Sequence, residues 1–169
     1  MMLAAVAICG ALSAQAEAPA TAVFSLTAET GTSESTAKLV TDAVTQALRS
    51  SGVFSRVISA SEIEALLNFE RQRQTVNCDS VSCAEEVASA LGVQFILVGN
   101  IGRLGNSFLL NIKLLDVKNA RVASSSSERA TGSSEEVLLD RIPGALTALL
   151  VTAGFSPAAI SPTPTVPAL

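Results

Sequence analysis

Cys78 and Cys83 are the residues whose type and spacing could most directly do chemistry, two thiols set as C-D-S-V-S-C in a polar loop that leads into a helix. In an oxidising compartment two such neighbours form a structural disulfide. Closing so short a ring contributes about 2 kcal/mol, chiefly by pinning the loop between two helices. The alternative is a redox-active pair, because a thiol at a helix N-terminus, as Cys83 would be, is more easily ionised. The spacing is not C-x-x-C, however, and no thioredoxin-like strand-helix-strand context surrounds it. Two thiols without histidine are an incomplete ligand set, so neither a metal nor any other cofactor is expected.

The chain contains no histidine at all. That removes the usual general base, the commonest zinc ligand and the centre of Ser-His-Asp or Cys-His catalysis. The three lysines, Lys38, Lys113 and Lys118, sit in no nucleophile motif, and the run Ser124–Ser127 reads as a solvated edge strand. Gly99, Gly102 and Gly105 imitate a phosphate loop only superficially, since they lead into a strand and not into a helix N-terminus. Arg71 and Arg73 read first as the solvated charged end of a helix, and second as a candidate interaction surface. No enzyme is expected.

A formal net charge of -4, with no tryptophan, no tyrosine and six phenylalanines, lacks the basic surface and stacking platforms of nucleic-acid binders. Nucleic acid is therefore not an expected partner. Residues 1–16 read as a secretory leader: Met2 to Leu12 is almost wholly apolar, and Ala14 and Ala16 form an A-x-A cleavage site. The apolar run is too short to span a bilayer. Cys9 is the alternative point of lipid attachment, although Ile8 before it is larger than such sites take. Residues 17–155 then make one α/β domain, and the proline-rich stretch 156–169 an extended tail. No residue pattern sets an oligomeric state.

The elements that must position these groups read clearly. The spacing predicts a strand over Val23–Leu26, a helix through Ala37, Val40, Val44 and Leu48 with Thr32 or Ser33 as N-cap, and a strand over Val53–Ser59. Ser61 and Glu64 have capping-box spacing for a second helix, and Ser82 can cap a third that Gly92 ends. The block LGVQFILVGNIGRLGNSFLLNIKLLD writes a buried strand, a Gly105-Asn106 hairpin turn and an alternating strand in which Phe108, Leu110, Ile112 and Leu114 share one face. A second turn over Asp116–Arg121 leads to Val122–Ala130. The last helix, from about Ser134 to Thr152, is interrupted at Pro143-Gly144, an interior proline costing about 3 kcal/mol, so a kink or two abutting helices are expected. The fold class is α/β (α+β): a mixed sheet of about five strands, order β-α-β-α-α-β-β-β-α, ending in a three-strand antiparallel meander.

This order, with SASEIEALLNFERQRQ followed by LGVQFILVGNIGRLGNSFLLNIKLLDVKNARV, resembles bacterial envelope domains of the CsgG type and the amino-terminal domain of TolB. The likeness covers roughly Val23 to Leu150 and includes the Asp-x-x-Asn-x-x-Val turn at Asp116, Asn119 and Val122. It implies a non-catalytic interaction or assembly domain, periplasmic or outer-membrane associated, with an envelope protein as partner. It does not extend to a pore, because the Gly105-Asn106 hairpin lacks the long lipid-facing insertions that a barrel needs. Two other readings stand beside it: a periplasmic binder of a small ligand or cell-wall fragment near the Arg71–Cys83 loop, and a thiol redox protein using Cys78 and Cys83.

Overall fold

The computed structural model describes residues 18–71 and 90–158 of the 169-residue chain. Among them a six-stranded mixed sheet runs in the order β3-β1-β4-β5-β6, with β2 beside β4. β1 (Ala20–Val23) is parallel to both β3 (Arg56–Ile58) and β4 (Phe95–Leu104), while β4, β5 (Ser107–Asp116) and β6 (Arg121–Thr131) form the expected antiparallel meander. Helices α1 (Glu34–Ser50) and α3 (Ile142–Thr152) pack on one face with Val23, Leu97, Phe108, Leu110, Ile112 and Leu114. On the other face α2 (Ala60–Arg71) sets Ile63 against Ala20, Ala22, Ile58 and Ile96.

The first strand differs from its expected span. It is split into β1 and a short β2 (Thr27–Ala28), because between them Leu26 N–H donates to Thr41 Oγ1 of α1 at 3.0 Å and leaves the ladder. β2 is the strand that lacked a periodic signal. The expected strand over Val53–Ser59 is likewise trimmed to Arg56–Ile58, since Phe54 turns into a cluster with Phe95 and Phe155 at centroid distances of 6.0 and 5.4 Å. At the β3 edge Arg49 takes up one carbonyl, its Nε and Nη2 donating to Val57 O at 3.4 and 3.1 Å.

Helix ends follow local chemistry. Ser33 caps α1, its Oγ accepting from Thr36 N–H at 3.1 Å, and Gly52 takes left-handed φ of 65° just past the end. For α2 the capping box is Ser59 with Glu62, two residues earlier than Ser61 with Glu64. Ser59 N–H donates to Glu62 Oε2 at 2.6 Å and Glu62 N–H to Ser59 Oγ at 3.3 Å. Those bonds from Ser59 hold the Glu62 carboxyl below its ordinary value, and Arg49 at 3.1 Å adds to them. The third helix lies outside the described residues except at positions 90 and 91, which are helical before Gly92 turns left-handed. At the carboxyl end two segments abut as expected: a 3-10 helix, Glu135–Arg141, then α3. Pro143 falls in the first turn of α3, where its missing N–H has no helical partner to lose.

In the hairpin, Leu104 pairs with Ser107 around Gly105 and Asn106. Only Gly105 takes positive φ, 59°, so one residue and not both supplies the special geometry. The Asp116 turn is held by its carboxylate, which accepts from Asn119 Nδ2 at 2.7 Å, Asn119 N–H at 3.2 Å and Arg121 Nε at 3.4 Å. These partners, Asn119 foremost, hold the Asp116 carboxyl below its ordinary 3.8. A carboxyl depressed on folding contributes stability that is full above its unfolded value and lost as pH falls through its folded value. Asp116→Ala is therefore expected to lower the unfolding free energy by about 2 kcal/mol at pH 7. Urea titrations of both proteins should show this gap closing as the pH is taken below 3.8.

β6 is an edge strand, as its serines suggest, but it is not uniformly solvated. A bulge at Leu114/Leu115 leaves Ala123 between the pairs Leu114–Ser124 and Leu115–Val122. The shift turns Ser124 inward beside Leu114, where it is buried.

Candidate interaction groove

A groove of about 450 Å³ opens between the N-terminal half of α1, the end of β4 and the 3-10 helix. Its floor and walls carry Leu39, Val40 and Leu139, and its rim Arg103, Glu135 and Glu136. Each side arrives through a definite local device. The loop after β2 stays on β4, with Glu29 N–H donating to the Ile101 carbonyl at 2.7 Å and Arg103 N–H to the Thr30 carbonyl at 3.0 Å. Gly31, at φ of 82°, lets that loop pass so close that a Cβ there would stand 3.1 Å from Arg103 Cβ. α1 therefore starts directly beside the hairpin.

Arg103 is held in place from two directions. Its Nε donates to the Gly105 carbonyl at 2.9 Å, and its guanidinium carbon lies 4.9 Å over the Phe108 ring, a cation–π contact. Among the described residues it pairs with no carboxylate. Across the groove Thr36 Oγ1 donates to Glu135 Oε2 and lies 2.8 Å from Ser33 Oγ, tying the 3-10 helix to the first turn of α1. A carboxylate beside that turn is favoured by the helix dipole. The groove thus has an apolar interior and fixed charges of opposite sign on its rim.

Leu39 and Leu139 are 68% and 45% exposed, although both are large and apolar. Neither belongs to the buried stripe of its own segment, which in α1 runs Ala37, Val40, Thr41, Val44, Thr45, Leu48 and near the carboxyl end passes through Leu138 and Ile142. An apolar residue out of phase with its helix is the signal in the sequence that marks this surface, and periodicity arguments pass over it. Glu135 and Glu136, in the first turn of the 3-10 helix, line the groove together with Arg103.

Of the residues singled out from sequence, Gly105 and Asn106 form the tip of the hairpin, and Arg103 lies in the second pair from that turn, opposite Phe108. α2 ends at Arg71. The Arg71 side chain, Arg73, Cys78 and Cys83 lie outside the described residues, as do the proposed leader and the end of the tail. Among the described residues no three His, Cys, Asp or Glu side chains gather as metal ligands, and no helix is long and apolar enough to cross a membrane.

No family model and no curated protein matches the chain. Solved structures do. The C-terminal domain of LpoB from Salmonella enterica superposes with a TM-score of 0.53 at 18% identity, over 68% of this chain and 84% of that one. The PelC dodecamer from Paraburkholderia phytofirmans gives 0.52 at 18% identity, over 79% and 88%, and lipoprotein GNA1162 from Neisseria meningitidis gives 0.52 at 16%, over 76% and 94%. A TolB structure, from Acinetobacter baumannii, covers 79% of this chain with a TM-score of 0.46. At these identities the likeness is one of fold, and the fold of this chain is the one shared by the LpoB C-terminal domain, PelC and GNA1162.

Proposed function

We propose that this protein is a non-catalytic interaction domain of the bacterial cell envelope, which docks a partner protein through the groove between α1 and the 3-10 helix. The observation that carries the reading is the pair Leu39 and Leu139, two exposed leucines lining one groove whose charged rim is held by Arg103 and Glu135. An apolar centre with a polar rim is the anatomy of a protein contact. The leader in the sequence and the resemblance to CsgG-type and TolB amino-terminal domains support the compartment, and the fold shared with GNA1162, a lipoprotein, agrees with it. A Cys78–Cys83 staple, suited to an oxidising compartment, belongs to the same proposal.

Photo-crosslinking tests it directly. A photoreactive residue placed at position 39 in the exporting bacterium should give one defined protein adduct, whereas position 46, where exposed Gln46 faces away from the core, should give none. Leu39→Asp should weaken recovery of that partner by about tenfold while leaving the unfolding free energy within about 0.5 kcal/mol of wild type. Absence of an adduct, or identical adducts from both positions, would sink the proposal. The groove volume also falls within the range of small-molecule sites, which supports a second reading as a binder of a small ligand or cell-wall fragment. Saturable muropeptide binding abolished by Leu39→Asp, with no protein adduct, would favour that reading.

A further inference from the structure

The two edges of the sheet are unequal. β3 presents three residues, and Arg49 occupies the Val57 carbonyl there. β6 presents 11 residues, and among the described residues its only strand neighbour is β5. It carries no proline and no lysine, the usual blocks to strand addition, and its bulge at Ala123 leaves Ser124–Thr131 as the regular part of the edge. We infer that β6 pairs antiparallel with β6 of a second copy of this chain, about a two-fold axis at Ser127, so that the sheet continues across a homodimer.

The register follows from charge and from facing. A two-fold axis through Glu128 or Arg129 would set like charges directly opposite one another, which is destabilising. An axis through Ser126 or Ser125 runs sooner into the bulge. Centred on Ser127, the ladder uses Ser124–Ala130 of both copies, with Ser126 opposite the partner's Glu128 and Ser125 opposite the partner's Arg129. Each charge then meets a hydroxyl that can donate to the carboxylate or accept from the guanidinium. The two charged residues select this register in place of blocking the edge.

The sheet face opposite α1 and α3 fits the same axis. Asn111 Nδ2 donates to Asn100 Oδ1 at 2.8 Å, and Ser127 Oγ donates to Asn111 Oδ1 at 2.6 Å, a row of polar groups across β4, β5 and β6 that ends at the edge. Placing Ser127 beside its mate joins that row to its symmetry copy. Because each copy spends the same edge, β6, on the other, the contact is isologous and stops at two copies. The groove of α1 and the 3-10 helix takes no part in the pairing.

Sedimentation of the exported protein over a concentration series should show a monomer–dimer equilibrium. Ser125 is exposed, and its substitutions give opposite signs: Ser125→Glu faces the partner's Arg129 twice by symmetry and should tighten the dimer about tenfold, whereas Ser125→Arg should loosen it by a similar factor. Ser127→Cys should form an intermolecular disulfide on oxidation beyond the background of the wild-type chain, and Thr131→Cys should not. Melting curves of each variant separate lost pairing from lost folding. A wild-type chain that stays monomeric at high concentration, or a dimer indifferent to both Ser125 substitutions, overturns the inference.

Discussion

Phe108→Ala is expected to lower the unfolding free energy by about 4 kcal/mol, read as a drop in the urea midpoint at unchanged slope. Phe108 is fully buried near the start of β5, flanked by Arg103 on β4 and Ala130 on β6. With six phenylalanines and no tryptophan or tyrosine, the chain has few side chains that could lean into the vacated space. Its partner on β6, Ala130, is too small to extend and fill it. A cavity that stays open adds its own cost to the lost transfer energy. Domains of this kind are stable by about 5–15 kcal/mol, so the variant would stand close to unfolding. Phe108→Leu should cost less, about 1.5 kcal/mol, because most of the volume is restored. Both variants also remove the ring beneath Arg103, so under the proposed function a folded Phe108→Leu protein should give less of the adduct at position 39 even where its stability is adequate.

Gly99→Ala is expected to be nearly as damaging, at about 3 kcal/mol, for a reason opposite to a cavity. A Cβ at Gly99 would sit 2.2 Å from the Asn111 carbonyl oxygen and 2.9 Å from Leu26 Cδ2. Leu26 could rotate away, but a backbone carbonyl in the middle of the β4–β5 ladder cannot move without breaking its own pairing. The requirement is for space and not for an unusual dihedral, since Gly99 is not among the left-handed residues. Gly102→Ala is the milder comparison on the same strand: its nearest neighbour would be Glu29 Cβ at 3.3 Å, a tight contact that a shift of a few tenths of an ångström relieves, and no backbone carbonyl stands in the way. Hydrogen exchange should show β4 and β5 losing protection in the Gly99 variant and keeping it in the Gly102 variant.

The parts of the fold that were legible in sequence are those where one periodicity covers a whole element. Phe108, Leu110, Ile112 and Leu114 alternate along β5 and all four are buried, so the hairpin and meander follow from the sequence. Elsewhere two local signals compete. SASEIE contains two overlapping capping boxes, and Ser59 with Glu62 prevails because β3 already ends at Ile58. Buried Thr41 and Thr45 of α1 return their hydroxyls to the Ala37 and Thr41 carbonyls, which lets polar residues sit on the inner stripe. The bulge that buries Ser124 has no sequence mark, because in a run of four serines any one could face inward. The groove was hidden for a related reason. Its leucines belong to no stripe, and its charges come from a hairpin and a 3-10 helix far apart along the chain.

The place of β1 between β3 and β4 bears on how the chain assembles. β1 is the first described strand, yet its two neighbours are β3, reached through α1, and β4, whose pairing with Thr21 begins at Phe95. The meander β4–β5–β6 closes through short turns and can form early, whereas β1 must wait for a partner more than seventy residues downstream. In a chain delivered amino end first, the opening strand is therefore the one left longest without its full set of backbone bonds. Binding of that strand by a chaperone during delivery would protect it, and slow parallel docking onto β4 would be the step that commits the domain to its native topology.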